Sequence, residues 1–126
     1  VYRYIPGISD VDWWGFPIVT FLIKIRRGDH RQEIAQASQP FVASAPLIII
    51  SVLDIQKTIQ WDDLSGEEIR WIWYYEAGAS AHNVLLEATA WDLSANIVPP
   101  TDTAAIRSLL RLTENYLPLL VVPVGE

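Results

Sequence analysis

A chain of 126 residues has room for one domain, and its 51% hydrophobic and 19% charged residues exclude a disordered protein. The net charge of −6 argues against a nucleic-acid partner, because no surplus of Lys and Arg is present to neutralise phosphates. The lack of cysteine excludes disulfides, thiolate metal sites and thiol catalysis, and no apolar run approaches the roughly 20 residues of a membrane span. We expect a single cytoplasmic domain over residues 1–126. The start at Val1 and the absence of Met are consistent with a C-terminal fragment of a longer chain.

The first half of the chain predicts two strands and a short helix. Residues 18–25 are rich in β-branched and aromatic side chains, which favours a strand. Residues 29–38 place Ile34 and Ala37 among polar neighbours, as in a short amphipathic helix. Residues 47–53 form a continuous apolar run, which is typical of a central strand covered on both faces.

A long helix is predicted over residues 65–93. Ser65 and Glu68 have the spacing of a capping box, in which each side chain satisfies a free backbone N–H of the other. Residues 77–81 all have small side chains, so another backbone can approach them closely, and the aromatic residues at 71 and 73–75 supply contact area. The helix therefore predicts association with a second subunit, as a homodimer or a larger oligomer.

The last third predicts a strand over residues 95–98, a helix over residues 102–110 capped by Asp102, and a strand over residues 117–124. Prolines at 118 and 123 favour an edge position for this last strand, since proline cannot donate to a ladder. Together the elements predict an α+β fold, an α/β sandwich with one mixed sheet of about four strands and a long central helix.

Three groups of polar residues could carry chemistry. Ser80 and His82 are two residues apart, and in a helix such side chains point about 200° away from each other. They cannot form a hydrogen-bonded nucleophile and base, which argues against a hydrolase. An acidic cluster precedes and begins the long helix: Asp62, Asp63, Glu67 and Glu68. Negative charge at a helix N-terminus is favourable because it complements the helix dipole, and we prefer this interpretation to a metal site. The basic cluster fits a solvated turn better than a phosphate site: Arg26, Arg27 and Arg31. We expect no metal site.

Three stretches in order resemble the nitroreductase superfamily of FMN-dependent oxidoreductases. The first two are residues 15–23 and residues 31–50. The third and most specific is Glu76-Ala-Gly-Ala-Ser-Ala-His-Asn-Val-Leu-Leu-Glu-Ala88. It continues through residues 90–93 and ends in a Pro-Val-Gly at 123–125. The resemblance covers residues 14–125 and implies hydride transfer from NAD(P)H to FMN and on to an acceptor such as a nitro compound or a quinone.

The same resemblance implies where a flavin would lie. Val98, Pro99 and Pro100 correspond to the loop whose backbone N–H groups meet the flavin ring in the family, and Trp14 takes the place of an Asn near the ring. Prolines have no N–H to offer, and the sequence contains no counterpart of the family's Arg-x-Ser element. We therefore expect weak FMN binding by this chain alone. The alternative function is a flavin-free, non-catalytic structural or partner subunit of a hetero- or homo-oligomer.

Overall fold

The computed structural model describes residues 1–5, 21–24, 26–58 and 66–126. Its strands are β1 (Tyr2–Ile5), β2 (Phe21–Lys24), β3 (Leu47–Asp54), β4 (Ser94–Ala95) and β5 (Tyr116–Gly125). Its α-helices are α1 (Arg31–Gln36), α2 (Gly66–Ala90) and α3 (Thr103–Leu109), and short 3-10 turns flank β3 at Pro40–Ser44 and Ile55–Lys57. None of the helices in these ranges combines the length and apolarity that crossing a bilayer requires.

Two compact units divide the chain, Val1–His30 and Arg31–Glu126. The first contains an antiparallel pair in which Tyr2 of β1 lies opposite Lys24 of β2. Strand β2 confirms part of the strand predicted over residues 18–25, whose remaining positions lie outside the described residues. Strand β1 was not predicted.

The second unit contains a three-stranded antiparallel sheet in the order β3-β5-β4. The α+β class is confirmed, but the described strands form this sheet and a separate pair rather than one mixed sheet of about four strands. The order also reverses two predicted roles. Among the described residues β3 pairs with β5 alone, and its Leu47 is 54% exposed, whereas the predicted edge strand β5 lies in the middle.

Pro118 lies in a part of β5 that β4 does not reach. The pairing with β3 passes from Ser51 opposite Leu120 to Val52 opposite Pro118, so a bulge leaves Leu119 without a partner on β3. Strand β4 pairs only with Val124 and Gly125, so among the described strands Pro118 has a neighbour on one side alone, a setting in which a strand tolerates proline. Pro123 still serves the ladder as an acceptor, because its carbonyl oxygen takes the N–H of Asn96 at 3.3 Å.

Helices pack against β5. Ala81 and Ala88 of α2 pack against Val122 and Val124 in one buried cluster. Successive side chains of a strand point to opposite faces, so the buried Val121 lies on the face opposite to this cluster. Helix α3 also contacts β5, and the packing of helices on a sheet agrees with the predicted sandwich.

The helix predictions are close to the observed elements. Helix α1 lies within the predicted residues 29–38, and Ile34 and Ala37 are both buried. Helix α2 fills most of residues 65–93, although Ser65 of the predicted capping box lies outside the described residues. Asp102 caps α3 as predicted, since its carboxylate accepts the N–H of Ala105 at 2.8 Å.

Candidate functional site

Three of the four predicted flavin-contacting residues, Val98, Pro99 and Pro100, lie in the loop of residues 96–102, between β4 and α3. At Val98 this loop is fixed to the centre of the sheet. The N–H of Val98 donates to the carbonyl oxygen of Val121 at 2.9 Å, and the N–H of Val121 donates back to Val98 at 2.9 Å. Val98 is 3% exposed and Val121 is fully buried. Both polar groups of the Val98 backbone are therefore occupied inside the protein.

The far end of the loop is fixed to the end of α1. The N–H groups of Thr101 and Asp102 both donate to the carbonyl oxygen of Ala37, at 2.9 and 3.2 Å. Ala37 follows α1 directly and is 3% exposed. The side chain of Asp102 is also occupied by its cap on α3. The loop is thus held at both ends by hydrogen bonds to buried backbone.

The remaining N–H groups of the loop are also occupied. Asn96 donates its N–H to Pro123, and the N–H of Ile97 donates to the side-chain oxygen of Asn96 at 2.8 Å. Pro99 and Pro100 have no N–H. Every backbone donor from residue 96 to residue 102 is therefore either absent or bonded within the chain.

The structure brings Val98, Pro99 and Pro100 together as one rigid segment, with Pro99 exposed and Pro100 half-buried. Trp14, the fourth predicted site residue, lies outside the described residues. Sequence reasoning did not identify Ala37 as part of this site. Its contribution is a backbone carbonyl, which any residue carries, so no side-chain signal was present to find it.

A groove of about 470 Å³ lies elsewhere, between β3 and the C-terminal half of α2. It has the size of a small-molecule site, and most of its lining is apolar. The lining residues are Leu47, Ile49, Ser80, Asn83, Val84, Glu87, Ala88, Trp91, Leu93 and Val124. The carboxylate of Glu87, in the lining of the groove, already accepts a hydrogen bond from the indole N–H of Trp91 at 2.7 Å. Of the predicted site residues that the structure describes, neither Val98 nor Pro99 nor Pro100 lines this groove.

The other polar groups have ordinary structural settings. Ser80 and His82 are both exposed within α2, so the strand and sharp turn that a hydrolase nucleophile requires are absent there. Glu67 and Glu68 lie in the first turn of α2, where they complement its dipole, while Asp62 and Asp63 lie outside the described residues. Over the described part of the chain, no cluster of acidic residues and histidines has the arrangement of a metal site.

The basic residues near α1 are part of local turns. Gly28 has a φ of +102°, a conformation that favours glycine, and the side chain of His30 lies over it. His30 donates from Nε2 to the carbonyl oxygen of Arg27 at 2.8 Å. Arg31 extends to the carbonyl oxygen of Ala45 at 3.4 Å. These contacts agree with the interpretation of the cluster as a turn.

Comparison with known proteins assigns the chain to a family. Residues 17–126 match the model of the nitroreductase family. The whole chain is 32% identical to a Methanocaldococcus jannaschii protein named for the nitroreductases, MJ1384, and spans 57% of its length. The chain therefore covers little more than half of this curated relative.

Two solved structures have a similar fold. A nitroreductase family protein from Streptococcus pneumoniae superimposes with a TM-score of 0.66 at 15% identity, over 98% of this chain and 68% of the other. An FMN-dependent nitroreductase from Clostridium difficile gives a TM-score of 0.57 at 18% identity, over 75% of this chain and 53% of the other.

Proposed function

Because this chain belongs to the nitroreductase family, we propose that it forms part of a flavoprotein oxidoreductase. Such a protein would take hydride from NAD(P)H and reduce an acceptor such as a nitro compound or a quinone, with FMN supplying the redox chemistry when bound. The observation that carries this proposal is the family match, which extends over nearly the whole sequence. The activity is proposed for the whole protein, since this chain spans 57% of the length of the Methanocaldococcus relative.

The loop that should meet the flavin does not fit a donor role. A flavin polarised at its ring edge needs a preorganised N–H close to it. Residues 96–102 have none to give, because each N–H present is bonded to Pro123, Asn96, Val121 or Ala37. We therefore assign no step of hydride transfer to Val98, Pro99 or Pro100.

This misfit supports a second candidate, a flavin-free structural or partner subunit. A scaffold would need its loops fixed to the core and would have no use for free donors. The two hydrogen bonds between the backbones of Val98 and Val121 provide that fixation, together with the two hydrogen bonds to the carbonyl oxygen of Ala37. The family fold is fully compatible with this role, since a fold is separable from the chemistry of the site it carries.

Flavin content distinguishes the two candidates. The visible absorption of the purified chain would reveal bound oxidised flavin, and titration with FMN followed by flavin fluorescence would give the affinity of the empty protein. An FMN-containing protein that oxidises NADH or NADPH in the presence of a quinone supports the oxidoreductase. A chain that neither carries flavin nor binds it below millimolar concentration, about −4 kcal/mol, favours the subunit role.

We also propose that α2 mediates association with a second copy. At 100° per residue, one stripe of its surface holds residues 71, 75, 79, 82 and 86, all of them exposed. Trp71 and Tyr75 are 67% and 65% exposed, and their rings stack at 5.4 Å. Large exposed aromatic surface of this kind is typical of interaction sites. The buried residues Ala77, Ala81 and Ala88 lie on the opposite side, where Ala81 and Ala88 pack against the sheet.

The burial of Ala81 determines which variant tests association. An arginine at Ala81 would disrupt the packing on Val122 and Val124 and would unfold the chain whether or not it dimerises. Ala79 is the suitable position, because it is exposed on the stripe beside Tyr75. We expect sedimentation to show a dimer at micromolar concentration and Ala79→Arg to dissociate it. The matched control is Ala104→Arg, at an exposed position of α3. A monomeric parent chain, or equal dimerisation of both variants, would refute the proposed interface.

A further inference from the structure

We propose that the backbone of the loop of residues 96–102 is closed as a hydrogen-bond donor toward any ligand. A flavin lying against it would be held by apolar contact with the proline rings and by side chains, not by a backbone N–H of the loop. The statement about flavin rests on the proposed function, whereas the closure itself follows from the bonds within the chain. The inference can therefore be tested with no flavin present.

The bond at Val98 cannot be redirected without loss elsewhere. Its acceptor, the carbonyl oxygen of Val121, belongs to a fully buried residue in the middle of the sheet. Turning the Val98 N–H toward a ligand would leave that oxygen unpaired in the interior. An unsatisfied buried acceptor is far more unfavourable than a missing surface hydrogen bond.

The N–H groups of Thr101 and Asp102 are held by an acceptor that they share. Two N–H groups converge on one oxygen, that of Ala37, so both lone pairs of this carbonyl are used. Asp102 is held again by its side-chain cap on Ala105. Moving either N–H toward a ligand would therefore displace the start of α3 as well as the loop.

Toward a ligand, the loop backbone presents hydrogen-bond acceptors rather than donors. No donor within the described residues reaches the carbonyl oxygens of Pro99 and Pro100. A carbonyl edge or an anionic oxygen placed against the loop backbone would meet no free N–H, and the donors left in the loop are the side-chain amide of Asn96 and the hydroxyl of Thr101, both exposed. The backbone at Pro99 and Pro100 therefore favours a flat apolar surface, or a group with its own N–H or O–H, over an anionic oxygen.

Amide hydrogen exchange of the ¹⁵N-labelled chain, followed by NMR, tests the closure. We expect the amides of Val98, Thr101 and Asp102 to exchange at least about tenfold more slowly than in an unstructured peptide before any ligand is added. Addition of excess FMN should change these rates by no more than about twofold relative to the amides of the sheet, since binding to the folded chain slows exchange in the core as a whole. Asn96→Ala is the matched variant, because it removes the acceptor of Ile97 alone. The Ile97 amide should then exchange about fivefold faster, while the other three amides stay unchanged.

The outcomes separate this inference from the proposed function. Unprotected amides at Val98, Thr101 or Asp102 in the free chain would overturn it, whatever flavin does. A tenfold increase in protection on FMN addition that is confined to these amides, and not shared by the amides of the sheet, would also overturn it, because stabilisation of the folded chain by a ligand slows exchange throughout the core. Protected amides in a chain whose fluorescence titration shows no FMN binding would support the closure and contradict the flavoprotein proposal.

Discussion

Gly125 allows the end of β5 to lie against the ring of Pro46. A Cβ atom at Gly125 would come within 2.6 Å of Pro46 Cδ, closer than such atoms pack, and within 3.1 Å of Cγ, a tight contact. Because Pro46 immediately precedes β3, neither partner can move without disturbing the pairing of Leu47 with Val124. We expect Gly125→Ala to reduce the free energy of unfolding in urea by about 1–3 kcal/mol, the usual effect of overpacking.

Gly66 provides the control for that substitution. A Cβ atom there would meet nothing within 4 Å. Gly66→Ala should therefore leave the free energy of unfolding within about 0.5 kcal/mol of the parent, or raise it, since alanine favours a helix. If the two alanine variants were equally stable, the close approach of Pro46 would not limit residue 125.

Asp102 stabilises α3 through one side-chain hydrogen bond. Its carboxylate accepts the N–H of Ala105 at 2.8 Å, while its own N–H donates to Ala37 and would survive substitution. We expect Asp102→Ala to lower the free energy of unfolding by about 1 kcal/mol and Asp102→Asn to change it by much less, because asparagine is an equally good cap. Equal losses in the two variants, measured by urea denaturation, would show that the charge rather than the cap is responsible.

This cap was predictable from the sequence because capping depends on a few neighbouring residues. The closure of the loop was predictable only in part. The sequence shows that Pro99 and Pro100 lack donors, but the loss of the Val98 and Thr101 donors depends on Val121 and Ala37. Those contacts form only when the sheet and α1 are assembled, so no local pattern indicates them.

Both longer helical segments end in the same motif. After α2, the N–H of Leu93 donates to Ala88 at 2.9 Å, and Asp92 has a φ of 56°. After α3, the N–H of Leu112 donates to Arg107 at 3.0 Å, and Arg111 has a φ of 54°. These are Schellman endings, in which a left-handed residue, usually glycine, closes the helix. Here neither residue is glycine, so each carries strain in its backbone.

The strain predicts that glycine stabilises these positions. Arg111→Gly should raise the midpoint of urea denaturation, by about 1 kcal/mol in the free energy of unfolding, since the left-handed conformation is costly for a long side chain. Asp92→Gly should give a smaller gain, because aspartate tolerates this conformation better. A loss of stability in Arg111→Gly would mean that the arginine side chain contributes more than its backbone costs.

Helix α2 illustrates why an element can be located from sequence without being oriented. Apolar residues occur on both sides of it, so their spacing does not distinguish the face toward the sheet from the face toward solvent. The small residues 77–81 were interpreted as a contact for a second subunit. The structure divides them, with Ala77 buried, Ala81 buried against the chain's own sheet and Ala79 exposed. A small side chain permits close approach, but the partner that approaches is determined by the rest of the fold.

At the scale of the whole molecule, the class of fold was predictable and the order of the strands was not. Helix and strand signals are local, and they indicated an α+β sandwich correctly. Strand order depends on which apolar runs are covered, and two local rules failed here. The continuous apolar run of β3 suggested a central strand, although Leu47 and Ile49 are exposed. The prolines of β5 suggested an edge, although β5 lies between β3 and β4, with Pro118 beyond the residues that pair with β4.

Two matched valines test the observed strand order directly. Val122 of β5 is 1% exposed and packs against Ala81 and Ala88, whereas Val52 of β3 is half-buried. Removing the methyl groups of a buried valine loses apolar burial and leaves a cavity. We expect Val122→Ala to lower the free energy of unfolding by about 2 kcal/mol and Val52→Ala by less than half as much. A central β3 with β5 at the edge would give the reverse order in urea denaturation. Because both variants remove the same atoms, the ratio of the two losses reflects burial alone, and a larger loss at Val52 would contradict the sheet order β3-β5-β4.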